Sequence, residues 1–510
     1  MKFVKPCLGS LVILILLVSG CAVGPDFVRP DAPSEEAWID SDVPQIKPEP
    51  SDLTDWWNVF NDPALDSLVE TAYRQNLPLQ IAGLRIMEAR AQLGVATGNQ
   101  YPQFQQLSGS ATAVEISDNA PNSLAADKFY YDHQLGFDAA WELDFWGRFR
   151  RGVESAQANY MASIAGYENA LVTLTADVAR AYILIRTFED RIRIADENVK
   201  IQKRSLEIAE ARFEGGIVTE LDVQQARALL NDTKASISRL ETGLRQARHG
   251  LSILLGITPG ELKNVLVEPG TVPDAPQEVV VGIPAEMLRR RPDIRVAEMQ
   301  AATQSARIGV AKADLYPQFS LVGSIGLQSS EQGGITSNNA NFSNLFDSAS
   351  LTYFAGPSIQ WPILNYGRIK NRVRVEDARF QQLIVNYQNT VLNAYREVED
   401  AMVGFLRSQE QANYLTNSVD ASKRSVELSL IQYREGVTDY QRVLDTQRFL
   451  TQEQDLLTSV SGEIALNLIA MYKALGGGWQ NQAGNDVVNE KTKADMQNRT
   501  NWGKLLDLKE

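Results

Sequence analysis

Apolar residues in this chain follow two different periods, and each pattern is written twice. Leu171, Leu174, Val178, Ala181, Ile185, Phe188, Ile192, Ala195 and Val199 alternate spacings of three and four, the heptad seam along which helices pack knobs into holes. The seam returns 220 positions later as Val391, Ala394, Val398, Ala401, Phe405, Ser408, Ala412, Leu415 and Val419, with Ser408 as its one polar member. A second seam runs from Val223 through Ala226, Leu230, Thr233, Ile237, Leu240, Leu244, Ala247 and Leu251 to Leu254. Its counterpart, from Val443 through Thr446 and Leu450 to Ile464, Met471 and Ala474, lapses at Glu453 and Asn467. The pattern predicts a duplicated helical hairpin, 148–255 and 367–475. No proline falls between Pro121 and Pro259 or after Pro362, so no ring breaks a helix in either block. A helix from Arg148 to Phe213 would be about 100 Å long, which no compact globular core needs.

Between the helical blocks the period drops to two. From Phe129 to Phe145 the odd positions hold Phe129, Tyr131, His133, Leu135, Phe137, Ala139, Trp141, Leu143 and Phe145, while the even ones include Asp132, Gln134, Asp138, Glu142 and Asp144. The alternation recurs in Leu107, Gly109, Ala111 and Ala113, in Phe319, Leu321, Gly323, Ile325 and Leu327, and in Leu351, Tyr353, Ala355, Ile359 and Trp361. Val322 and Phe354 interrupt the polar face of the second copy. Four strands follow, at about 101–116, 128–145, 316–329 and 349–363, each with one apolar and one polar face. A soluble sandwich sheet has this period, but an alternation sustained for so long is the signature of membrane-barrel strands. Four strands cannot close a barrel and an open edge cannot face lipid, so copies must combine; a dimer (8 strands) and a trimer (12) both satisfy the arithmetic. The loops Ser117–Asp127 and Ser329–Ser348 are rich in Asn, Ser, Gly and Ala, as solvent-facing loops are.

Short strings mark the same duplication. YPQF stands at Tyr101–Phe104 and Tyr316–Phe319; aromatic-Gly-Arg at Trp146–Arg148 and Tyr366–Arg368; FEGG at Phe213–Gly216 answers YREG at Tyr433–Gly436. The segments are then 21–62, an N-terminal stretch; 63–280, the first repeat; 281–475, the second; and 476–510, a polar tail.

The N-terminus adds a destination. Lys2 and Lys5 precede an apolar run from Leu11 to Val18, then Ser19, Gly20 and Cys21, the build of a cleaved export signal over 1–20 rather than a membrane anchor. LVSGC is similar to the bacterial lipoprotein signal, which makes Cys21 the lipidated first residue. Cys7 leaves with the signal, so no intramolecular disulfide is available. Ala22 follows, where aspartate would mark retention at the inner membrane. The net charge of −14, or −16 after cleavage, excludes nucleic acid as a partner and suits a pore or surface that favours cations.

Together these features resemble the TolC-type outer-membrane efflux proteins, specifically the OprM/NodT-like lipoprotein branch, over almost all of the mature chain. The strings that carry the resemblance are CAVGPDF from Cys21, RRPDI at Arg290–Ile294, IGVAKADLYPQFSL at Ile308–Leu321 and YREGVTDYQRVLDTQR at Tyr433–Arg448. It implies an α+β membrane protein: a homotrimer with a 12-stranded β-barrel, four strands per chain, continuous with a long periplasmic α-helical barrel and a mixed equatorial domain. It also implies a lipid-linked, equatorial role for 21–62 and an equatorial or disordered one for the tail 476–510. The implied location is the outer membrane of a Gram-negative bacterium, lipid-anchored, with a large periplasmic portion. The shorter helices, Leu79–Asn99 and Thr219–Leu255, would stack end to end beside each long one. The implied function is the passive exit duct of a tripartite multidrug efflux system. A periplasmic adaptor and a proton-driven inner-membrane pump are the implied partners. By position, Gln441, Asp445 and Arg448 are the periplasmic gate, Asp222 and Tyr433 a closed-state link, and Gly215, Gly216 and Gly436 the adaptor-facing tips. Thr438 stands where the family has a further tip arginine.

The residues themselves offer no chemistry. The two histidines, His133 and His249, are far apart in sequence, and no GxSxG, P-loop or GxGxxG occurs. Acidic pairs such as Glu399-Asp400 lie on heptad helices as solvated faces, and Arg289-Arg290-Arg291 leads into a helix start at Pro292. No cofactor, metal or catalytic residue is expected. The same duct serving type I protein secretion is the alternative within this class, and a structural trimeric lipoprotein is the alternative outside it.

Overall fold

The computed structural model describes residues 22–33, 35–49, 52–119, 129–266, 268–284, 290–331, 341–480 and 486–506. The expected signal segment, Cys21 and most of the two expected loops (120–128 and 332–340) lie outside the described residues. The main elements in chain order are β1 (Ile46–Lys47), α1 (Pro63–Gln75), α2 (Leu77–Gly98), β2 (Phe104–Glu115), β3 (Phe129–Leu143), α3 (Arg148–Glu214), α4 (Glu220–Leu254), β4 (Val279–Val280), α5 (Pro292–Ala313), β5 (Gln318–Glu331), β6 (Leu351–Gln360), α6 (Arg368–Arg434), α7 (Tyr440–Ala474) and α8 (Glu490–Arg499). The duplication is exact in the helices: α3 and α6 both have 67 residues and α4 and α7 both have 35, each pair offset by 220. Backbone turns repeat too, with positive φ at Gly147 and Gly367, Gly216 and Gly436, Gly256 and Gly476.

The chain forms two compact units. The first comprises Met1–Pro30, Glu88–Met161 and Glu298–Val385 and holds one antiparallel sheet in the order β2-β3-β5-β6. Its register puts Leu107, Phe137, Ile325 and Tyr353 in one row, and Trp141, Leu321 and Pro357 in another. Every odd-numbered position of the four strands therefore shares a face. Pro357 sits in an edge strand, where a missing N–H is tolerated. β5 runs past the expected loop start at Ser329, because pairing with β3 continues through Ser330 opposite Asp132.

The second unit, Asp31–Met87, Ala162–Ala297 and Asn386–Glu510, is built on the heptad faces. Leu171, Leu174, Val178 and Ile185 are buried with Val391, Ala394, Val398 and Phe405. Trp56 stacks on Tyr472 with ring centroids 5.2 Å apart. β1 and β4 form a two-residue parallel pair. The polar lapses of two different seams meet: Asn467 Nδ2 donates to Ser408 Oγ at 3.1 Å. Arg291 of RRPDI is buried, donating to the Ala474 carbonyl at the end of α7 at 2.7 Å and pairing with Asp293 and Glu397. A second buried guanidinium, Arg186, binds Tyr182 Oη, Glu189 and the Glu268 carbonyl.

The C-terminal segment is packed rather than merely polar. Asn489 caps α8 by accepting from Thr492 N, and Val488, Met496 and Leu506 bury against Met87 of α2. Gly83 makes this possible, since a Cβ there would stand 2.1 Å from the Val487 carbonyl oxygen. Gly83→Val should therefore dislodge residues 486–506: trypsin should cut at Lys491 and Lys493 in the variant and leave them intact in the parent. Equal resistance in both would show that the segment docks some other way.

Candidate functional site

The sheet turns its apolar face outward. On the odd face Leu107 is 73% exposed, Ile325 54%, Tyr353 77% and Ile359 67%, and none of the described residues covers them. Isolated exposed apolar residues are ordinary, but a continuous face of them marks a surface made for an apolar environment. Aromatic residues gather at its two ends. At one end Trp141, Trp146 and Trp361 donate their indole N–H groups to the carbonyls of Gln100, Pro317 and Leu315, and Trp146 stacks on Tyr316 with centroids 4.5 Å apart. At the other, Phe129 and Tyr131 meet edge to face, and Phe342 meets His133. Tyr131 and Trp141 are ten residues apart on β3, which at strand rise and a tilt of roughly 40° gives a band about 25 Å tall between aromatic girdles. Those are the dimensions of a membrane-spanning β surface.

The even face is polar and acidic. Asp132 accepts from Gln134, Gln328 and Ser330, with Asp138 and Glu142 further along β3. Among the described residues β2 and β6 each pair on one side only, so each presents a row of unpaired backbone groups. Beside the Trp146 girdle the chain entry is pinned: Val23 N donates to the Trp146 carbonyl at 3.0 Å, and Arg151 binds Asp26 at 2.6 Å. A Cβ on Gly147 would meet that of Ala22 at 2.6 Å. Residue 22, next to Cys21, is thus held at the strand-to-helix turn. Among the described residues no helix is long and apolar enough to cross a membrane, and no group of three or more His, Cys, Asp or Glu side chains could hold a metal ion.

The helical hairpins end in two matching turns of the second unit. Gly216 N bonds to the Phe213 carbonyl and Ile217 N to that of Arg212; Gly436 N bonds to Tyr433 and Val437 N to Gln432. Both close with a glycine in the left-handed region, φ 67° and 75°, the usual helix C-terminal stop. Gly215 has no positive φ and its counterpart is Glu435, so the turn needs only Gly216. Phe213, Ile217, Leu221 and Val437 are exposed around these turns.

Tyr433 is buried at this end and its hydroxyl donates to Asp222 Oδ2 at 3.1 Å. Burial, then the charge of Asp222 and the hydrogen bond to it, raise the Tyr433 phenol above its ordinary range. The neighbouring Tyr440 is pushed up to about 12 by burial first and Asp222 second. Both phenols stay neutral through the physiological range, and that of Tyr433 stays a donor to Asp222. Arg212, which the sequence did not single out, locks the two turns together. It donates to the carbonyls of Tyr433 and Arg434 at the end of α6, where the last carbonyls lack intrahelical partners, and lies 4.8 Å from the Tyr433 ring centroid, within cation–π range. Its only sequence signal was a basic residue in the last turn of a helix.

Gln441, Asp445 and Arg448 share one exposed face of α7. Gln441 Nε2 donates to Asp445 Oδ1 at 2.8 Å and Gln225 donates to Gln441. Arg448 reaches a cavity of about 490 Å³ bordered by Arg191 and Asp455, themselves paired at 2.8 Å. The structure thus joins Gln441 to Asp445 and Asp222 to Tyr433, while no ion pair links Asp445 to Arg448 among the described residues.

The family model for outer membrane efflux proteins matches residues 68–257 and 283–477, one segment in each repeat. The chain belongs to the outer membrane efflux protein family. Nodulation protein T of Rhizobium leguminosarum bv. trifolii is 31% identical over 467 residues, 91% of this chain and 96% of that protein. The toluene efflux pump outer membrane protein TtgI of Pseudomonas putida is 30% identical, covering 91% and 97%. The solved structure of the outer-membrane channel OprN is 33% identical with a TM-score of 0.82, covering 90% of this chain and all of that one. Family members are non-enzymatic outer-membrane channel components of efflux pumps in Gram-negative bacteria, and the long helices and antiparallel strands described above are their fold.

Tyr433→Phe keeps the ring under Arg212 and removes only the bond to Asp222, a loss of about 1 kcal/mol. Amide exchange over 430–437 should then quicken by roughly fivefold. Unchanged exchange would mean that this hydrogen bond does not hold the tip.

Proposed function

We propose that three copies of this chain close their four-stranded sheets into one 12-stranded barrel and form a passive exit duct for small molecules in a tripartite efflux system. The observation that carries this reading is the sheet with an exposed apolar face and two unpaired edges. In lipid, unpaired backbone groups cost several kcal/mol each, and pairing β2 of one copy with β6 of the next removes the edges while sending the acidic even face to the lumen. A proton-driven inner-membrane pump supplies the energy and a periplasmic adaptor makes the connection. The exposed residues around Gly215, Gly216 and Gly436 offer the adaptor its contact. Lipidation at Cys21 fits the pinning of residue 22 beside the Trp146 girdle, where an acyl chain would enter the bilayer at the level of the interfacial aromatics.

The gate belongs to the exposed face of α7. Three copies of Asp445 brought near one axis repel one another, and Arg448 offsets that charge, so the closed state is held by small balanced terms. The Tyr433–Asp222 bond and the Arg212 contacts hold the hairpins of each copy against opening, and adaptor contact at the tips competes with them.

Planar-bilayer conductance of the purified trimer tests this. Asp445→Ala with Arg448→Ala should raise single-channel conductance several-fold over the parent. Unchanged conductance would reject the gate assignment, and a parent that never conducts would favour a structural lipoprotein.

A further inference from the structure

Two cavities of opposite charge occur in the second unit. One, of about 870 Å³, is walled by Asp40, Asp274, Glu278 and Glu410 against a single guanidinium, Arg407. Glu410 binds Arg407 at 2.8 Å and Glu278 binds Lys47, while Asp40 and Asp274 have no ion-pair partner among the described residues. Glu399, beside Asp40, is pushed above the ordinary carboxylate range by burial first, with the Asp40 charge adding to it. This groove is short of cations.

The other surface is short of anions. Two contiguous cavities of about 400 and 330 Å³ share Arg245 and His249, and add Arg248 and Lys263 against one carboxylate, Glu241. Arg248 is taken up by the buried Glu189 at 2.7 Å. Arg245 and Lys263 have no ion-pair partner among the described residues. In a chain of net charge −14 such a concentration of cations is the exception.

The two surfaces stand at one level along the helices. Arg248 of α4 touches Glu189 of α3; Thr187 of α3 lies against Gly462 of α7; and Asn467 of α7 bonds to Ser408 of α6, next to Arg407 and Glu410. The cations project from α4 and the acidic wall includes α6. We infer that these surfaces are the two halves of one head-to-tail contact, in which the Arg245–Lys263 face of one protomer docks into the Asp40–Asp274–Glu410 groove of the next copy. The inference rests on the trimer proposed above and adds its register in the helical region. A contact between unlike faces leaves a face of each kind still to satisfy and closes into a ring when the rotation between copies closes, as the proposed barrel requires, whereas a contact between like faces stops at a dimer. Opposite charge also fixes which face meets which, because like faces repel. The pairing would weaken with salt, as exposed charges do, leaving the sheet edges as the main bond between copies.

Cysteine pairs in the full-length protein test the contact, with the parent controlling for Cys21. Arg245→Cys with Glu410→Cys, treated in detergent with a short bis-maleimide, should give a covalent trimer on a denaturing gel, and each single variant only monomer. Lys263→Cys with Asp274→Cys, run alongside, samples the other end of the groove. As a second readout, Arg245→Glu or Glu410→Arg alone should lower the temperature at which the trimer separates, and the two together should restore it. A protein that is trimeric by light scattering but gives no cross-link with either pair overturns this contact and leaves the trimer standing. Covalent dimers alone overturn it in favour of like-face pairing. A monomeric parent overturns the proposed function and this contact with it.

Discussion

A β-strand at the edge of a sheet has half of its backbone groups unpaired, and an apolar solvent supplies nothing to pair them. That constraint governs this protein. Its sheet turns a band of Leu107, Phe137, Ile325 and Tyr353 outward between two sets of aromatic residues, so its environment is lipid. Yet β2 and β6 each lack a neighbour on one side. Neither adding residues nor repacking the core of one chain removes those edges; only strands from other copies do. The proposed oligomer and its shared lumen answer that one deficit.

The helical half answers a different requirement, which is to stay straight and paired over some sixty residues. Heptad faces bury Leu171 through Ile185 and Val391 through Phe405, and turns at Gly216 and Gly436 end each long helix in the same geometry. Where apolar packing is interrupted, polar groups satisfy one another. Ser408 and Asn467 looked like separate errors in separate seams, yet they are one hydrogen bond between helices, the kind of buried polar pair that fixes register. Arg212 and Arg291 act on helix ends: Arg212 donates to the carbonyls of Tyr433 and Arg434, the first shared with Gly436 N, and Arg291 donates to that of Ala474, where the helix leaves carbonyls without intrahelical partners.

Much of this was legible in the residue pattern because it is periodic. The duplication at 220 positions, the two-residue alternation and the glycine turns are local signals repeated often enough to read, and four strands with an apolar face already implied partners. What escaped is aperiodic and long-range. Arg212 is an ordinary basic residue until α6 brings Tyr433 under it, and nothing periodic marks Arg186 and Glu189, which are bound by Arg248 and by the backbone of Glu268 and Gly270. RRPDI was read as a helix start, and Pro292 does open α5, but the buried role of Arg291 needed the end of α7. The tail after Gly478 looked merely polar because Val488, Met496 and Leu506 are too sparse to form a period, although each finds Met87.

Amide hydrogen exchange on the two edge strands, in protein extracted in mild detergent, tests the central claim directly. If copies share a closed barrel, the amides of Phe104–Glu115 and Leu351–Gln360 that point away from β3 and β5 are bonded to a neighbour and exchange as slowly as those pointing inward. If every second amide of these strands exchanged at the rate of an exposed chain, the edges would be open and the account of a shared duct would be wrong.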